Sequence, residues 1–233
     1  MFVAQILPSP GRWSQASRPR RVHAAALLIV YVGWCISLGR VIAPRIFPGE
    51  NLMLATGHSF ALVPVSYTVT LGLVLGLGLF HLGRTTPRAI GWHSSSAARD
   101  VAIGCAGFIA IAVILVAGIA VAGDSPREFV DEALSFTSRQ RLLFVAIGFE
   151  GAVLEESLWR GYLQPSLMSR FGRPLGIVLT ALLFAVAHFQ FRPMQFVLKF
   201  AVGLVLGLLR KRDGSLVPPA VAHFLTWVFI GWA

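Results

Sequence analysis

The residues most suited to chemistry lie in the second half of the chain: Glu155, Glu156, Arg160, His188 and His223. Glu155 and Glu156 are adjacent carboxylates, and Arg160 follows the second by four residues, so on a helix Glu156 and Arg160 share a face while Glu155 points elsewhere. One acid then has a cation that keeps it ionised, and the other remains available as a tunable base. That carboxylate needs partners, and two histidines offer themselves. His188 closes the run FAVAH and His223 lies within AVAHF. The competing reading is structural: a buried ion pair that only fixes helix packing, and histidines that are packed or hydrogen-bonded. An unpaired carboxylate and two histidines among apolar segments tilt the balance, because ionisable groups in a membrane interior mark functional sites.

The elements that must position these residues are apolar. The chain has 233 residues, 56% hydrophobic and 13% charged, with a mean hydropathy of +0.73. Soluble domains carry about 25% charged residues, and a water-soluble fold of this composition would expose large apolar patches. A membrane helix needs about 20 mainly apolar residues, and seven runs qualify: 24–43, 61–82, 101–122, 142–163, 175–189, 196–209 and 216–232. The expected fold is an all-α polytopic transmembrane bundle of about seven spans. It forms one integrated membrane domain, with a basic tail over 1–23, N-terminal spans and loops over 24–141, and a core over 142–233 that holds the site. Glycines such as Gly72, Gly76, Gly203 and Gly207 suit close helix packing. If spans four and five turn near 170–173, Glu155 and His188 both lie fifteen residues from the turn, or about 22 Å along each helix. His223 is shallower on the same ruler, with the Pro218-Pro219 pair or helix tilt absorbing the difference.

A formal charge of +10 raises the question of nucleic acid, but the cations sit in short runs between apolar stretches rather than on one solvated face, so no nucleic-acid partner is expected. Twelve of them fall in the N-terminal tail and the even-numbered loops (those after spans two, four and six), against five in the opposite loops. The positive-inside rule therefore places the N-terminus in the cytoplasm. No small-x-small cleavage site follows the first span, which reads as uncleaved. Cys35 and Cys105 lie inside apolar runs and suggest neither a disulfide framework nor a CxxC metal site. Glu150 and Lys199 fall at similar depth in spans four and six and read as a packing ion pair.

The order of the motifs resembles the CPBP (CAAX protease and bacteriocin-processing) intramembrane endopeptidases. Glu155-Glu156-Ser-Leu-Trp-Arg160, continuing as RGYLQ, is similar to the EExxxR motif of that family. Phe184-Ala-Val-Ala-His188 is similar to its FxxxH motif, and FAVGLVLGLLRKRDGSLVPPAVAH to its glycine-spaced helix, Gly-Ser turn and final helix. The resemblance covers residues 142–230. The chain departs from it at Trp227, four residues after His223, where the family has Asn or Asp; Thr226 and the indole N–H of Trp227 are the local donors. Either the oxyanion site is built differently or activity is weakened or lost.

The resemblance implies an intramembrane endopeptidase. Glu155 acts as general base on a water that His188 helps to hold, His223 stabilises the tetrahedral intermediate, and Glu156 and Arg160 orient the site. The alternative is a non-catalytic membrane peptide-binding, immunity or scaffold protein of the same fold. No cofactor is firmly implied; a Zn ion held by Glu155, His188 and His223 is the competing arrangement. The implied partners are a membrane-associated protein or peptide substrate and the lipid bilayer. The Arg-rich composition suits a multi-pass protein of a prokaryotic inner membrane.

Overall fold

A computed structural model describes residues 26, 29–30, 33, 45, 69, 71–73, 75–76, 85–123, 125–188, 192–210 and 214–232. The expected spans at 24–43 and 61–82 and the basic tail lie largely or wholly outside these. Every regular element among the described residues is helical. In chain order they are α1 (Pro87–Ile90), α2 (Ala97–Val121), α3 (Pro126–Leu134), α4 (Ser138–Glu150), α5 (Gln164–Phe171), α6 (Arg173–Ala187), α7 (Pro193–Leu209) and α8 (Val217–Trp232). Between α4 and α5 the chain stays helical through two widened, π-type stretches, Gly151–Glu155 and Ser157–Leu163.

The remaining expected spans appear at their places with shifted ends. The fourth is longer than the run 142–163 because Thr137 caps it: the Gln140 amide donates to Thr137 Oγ1 (3.3 Å), and the Thr137 amide donates to Gln140 Oε1 (2.9 Å). This reciprocal capping box satisfies two amides that a helix start leaves without partners. At the far end Gly172, at φ +80°, breaks the helix and turns the chain straight into α6. The segment between α2 and α4, read as a loop, holds the nine-residue helix α3.

α2 is long and apolar enough to cross a membrane, and α6, α7 and α8 are shorter apolar helices. Its outer face carries Ile109, Val113 and Val116, all exposed, as befits a lipid-facing surface. Its inner face is a seam of Gly104, Gly107, Ile111 and Gly118. A Cβ on Gly104 would lie 2.6 Å from the Val221 side chain on α8, and one on Gly118 would lie 2.4 Å from Leu198 on α7. Small residues thus set the close approach, as expected between membrane helices. α8 packs against α2 and α4, and α7 against α2 and α6, so the widened stretch is enclosed by α6, α7 and α8.

Candidate active site

The Glu-Glu-Arg motif lies wholly on the widened helix. In an ordinary α-helix the Gln164 amide would bond to the Arg160 carbonyl; here it bonds to Trp159 O, one residue further back. Widened turns of this kind recur at functional sites because they change the direction in which successive side chains leave the helix.

Glu156 and Arg160 form the expected pair, with Arg160 Nη1 donating to Glu156 Oε1 at 3.0 Å and both side chains fully buried. Arg160 Nη2 donates onward to Gly203 O on α7 (3.2 Å), and its guanidinium lies over the Phe184 ring, 4.4 Å from the centroid. His223 joins this pair. Its Nδ1 donates to the same Glu156 Oε1 at 2.8 Å. Its Nε2 accepts from the Trp227 indole N–H at 3.3 Å, and Gly151 faces that nitrogen so closely that a Cβ there would sit 3.0 Å from it. A carboxylate oxygen accepts and an indole N–H donates, so His223 is held as the Nδ1–H tautomer with both nitrogens engaged.

His188 is built in the complementary way. Its Nδ1 meets Phe184 O at 2.7 Å, and a carbonyl can only accept, so Nε2 carries the lone pair. Phe184 is the hub of the cluster: its ring centroid lies 4.4 Å from that of His188 and 6.3 Å from that of His223. His188 is within electrostatic range of His223, Lys199 and Arg160. Glu155 is buried and lies in the fields of Arg160, Lys199 and Glu150. The structure therefore gathers Glu156, Arg160 and His223 into one hydrogen-bonded set and places His188 against it through Phe184, with the Glu155 carboxylate in the fields of both Arg160 and Lys199.

Three details differ from the sequence reading. Glu150 does not pair with Lys199: Glu150 Oε1 has no hydrogen-bond partner, and the Lys199 ammonium lies 5.8 Å from the Trp227 ring centroid. Thr226 donates its hydroxyl to Ala222 O one turn back, so it is not directed at a substrate. Arg210, counted with the loop cations, is buried, and Gln164 is fully buried with its amide on Gly207 O at 3.0 Å. The direct run of Arg210 out of an apolar helix, with no polar spacer, was the one sequence sign of its burial.

A three-ligand Zn site does not fit these positions. Among the described residues no three His, Cys, Asp or Glu side chains gather around a common point, and His223 has no unengaged nitrogen to offer.

Fold and site together define a polytopic, all-α membrane protein with a buried Glu-Glu-Arg motif braced by a histidine from a later helix. Over residues 137–229, less than half of its length, the chain matches the family described as Type II CAAX prenyl endopeptidase Rce1-like, which bears out the CPBP resemblance for this segment. It is also similar to the uncharacterized protein YpbD of Bacillus subtilis (strain 168), 27% identical over 135 residues. That match takes in 54% of this chain and 66% of YpbD, so the chain covers slightly less than two thirds of its relative. No solved structure gives a significant match.

Proposed function

We propose that this chain is an intramembrane endopeptidase that hydrolyses a peptide bond of a membrane-associated protein or peptide. The observation that carries the reading is the division of labour between the two adjacent glutamates. Glu156 is hydrogen-bonded to both Arg160 and His223, whereas Glu155 is buried in the combined fields of Arg160, Lys199 and Glu150. In the proposed reaction Glu155 takes a proton from a water held by the His188 Nε2 lone pair, and the water oxygen attacks the scissile carbonyl. The resulting tetrahedral intermediate collapses as Glu155 returns the proton to the leaving amine. His223 cannot supply the oxyanion donor while Nδ1 serves Glu156 and Nε2 accepts from Trp227. The indole N–H itself is the donor at that place. Its 3.3 Å bond to His223 is longer than the usual 2.9–3.0 Å, so it is readily exchanged for a developing oxyanion.

A second reading, a non-catalytic peptide-binding member, is favoured by the same contact, since Trp227 stands where the family has Asn or Asp and occupies His223. Purified protein in lipid nanodiscs, offered a panel of CAAX-type and other membrane peptides and read by mass spectrometry, separates the two. Cleavage by the wild type that is lost in a folded Glu155→Gln variant is expected. Peptide binding without cleavage, converted to cleavage by Trp227→Asn, would establish the second reading. The orientation proposed is N-terminus in the cytoplasm, in the cell membrane of a prokaryote.

A further inference from the structure

The widened register of the motif helix leaves one backbone group without a backbone donor. In i→i+5 bonding the Arg160 carbonyl would accept from residue 165, and residue 165 is a proline, which has no N–H. The i+4 amide, Gln164, is already on Trp159 O. Arg160 is fully buried, so its carbonyl must find a partner within the protein. It finds Arg210 Nε, at 3.1 Å.

Arg210 reaches this carbonyl from the C-terminal end of α7 and does not stop there. Its Nη2 donates to Ile90 O at 3.1 Å, so one guanidinium bridges the motif helix and the segment that precedes α2. That segment is fastened to the same region by independent contacts. The Trp92 indole N–H donates to Ser157 Oγ at 2.8 Å, one residue beyond Glu156, and the Leu216 amide donates to Gly91 O at 2.8 Å. Gly91 is at φ +116°, and a Cβ there would lie 2.4 Å from Gly214 O. The buried side of Ile90 packs with Leu158, Trp159 and Leu216 in the core around the motif.

We propose that Arg210 is a positioning residue for the Glu155-Glu156-Arg160 motif. By taking the carbonyl that Pro165 leaves without a donor, it holds the motif in its widened register, and through Ile90 O it ties that register to residues 85–96. The catalytic consequence rests on the endopeptidase reading; the structural one does not.

The test uses the full chain in lipid nanodiscs and a Pro165 rescue. Arg210→Met and Arg210→Lys are compared alone and combined with Pro165→Ala, which supplies an N–H at position 165. Arg210→Met is expected to lower the Tm by several degrees and, where cleavage is measured, to reduce kcat about tenfold or more with little change in KM, because one orphaned buried carbonyl is enough for such a factor. Arg210→Lys, which keeps the charge but can serve only one of the two carbonyls, is expected to fall between. Pro165→Ala alone should be close to wild type, and in the double variant it should recover most of both losses, since the new amide replaces the Arg210 Nε donor. A merely electrostatic or packing role for Arg210 gives no such rescue, and absence of rescue overturns the proposal. So does an Arg210→Met protein that matches wild type in Tm. If the wild type cleaves nothing, the endopeptidase reading fails while the Tm rescue still decides the register assignment.

Discussion

Replacing Arg160 with methionine removes the one cation that faces Glu156 from the same helix, while keeping an unbranched, apolar side chain in its place. Arg160 and Glu156 are both fully buried, so the change strands a carboxylate that retains only the His223 Nδ1–H as a partner. Breaking a buried pair in this way costs about 3–5 kcal/mol. The lost bond to Gly203 O adds little, because that carbonyl lies within α7 and keeps a helical amide, and Met limits any cavity. Taking about 4 kcal/mol, and about 2–4 °C per kcal/mol for a chain of this size, the Tm should fall by about 8–16 °C. Glu155→Gln is the matched control. It is isosteric, leaves the hydrogen bonds of Glu156 to Arg160 and His223 in place and removes a like charge acting on Glu150, so its Tm should stay within about 2–4 °C of wild type, the equivalent of about 1 kcal/mol. Intrinsic tryptophan fluorescence of the three proteins, melted in the same nanodiscs, gives the comparison directly. Should Glu155→Gln prove the more destabilising of the two, the roles assigned to the adjacent glutamates are reversed and the general-base assignment goes with them.

Trp227→Phe keeps a ring between Phe144 and Lys199 but removes the N–H. It should change stability by no more than about 1 kcal/mol and lower kcat by about 10²–10³ if the indole is the oxyanion donor; unchanged kcat would remove Trp227 from the reaction. Gly91→Ala places a methyl group against Gly214 O at a positive φ and should destabilise by about 1–3 kcal/mol, read as a fall in Tm; a wild-type melt would show that the 85–96 segment is not fixed as described. For topology, a single cysteine at Glu128, in a background lacking Cys35 and Cys105, should react with a membrane-impermeant maleimide added outside intact cells. Labelling only after permeabilisation would invert the proposed orientation.

The pairing of Glu156 with Arg160 was legible because it is local: four residues on one helix decide it, whatever the rest of the chain does. The spans from residue 97 onward were legible for a similar reason, since apolar length and Gly or Pro punctuation mark where helices run and stop. What the sequence withheld was long-range or dependent on register. Nothing in a string of letters says that Gln164 bonds to Trp159 O rather than Arg160 O, and the fixed-pitch ruler used to match Glu155 with His188 assumes a uniform α-helix that the widened stretch violates. Likewise depth alone pairs Lys199 with Glu150, but azimuth around the helix directs it to Trp227. The departure at Trp227 is visible in the sequence, and so is the donor character of its indole N–H. Its acceptor, His223 Nε2, emerged only with the helix that carries both.

Two side chains that the motif helix sends to α7, Arg160 and Gln164, are received by main-chain oxygens of Gly203 and Gly207. A main-chain acceptor has no codon of its own. No replacement of a residue on α7 can delete those oxygens, so point mutation at the two glycines acts through added bulk, against Ala181 at Gly203 and against Gln164 and Ile177 at Gly207. The lesion that would remove both acceptors at once is a change of length. A single-residue insertion between Lys199 and Gly203 rotates everything beyond it by about 100° and carries both oxygens away from the motif. This part of the molecule should therefore tolerate conservative exchange of letters far better than any shift in their count.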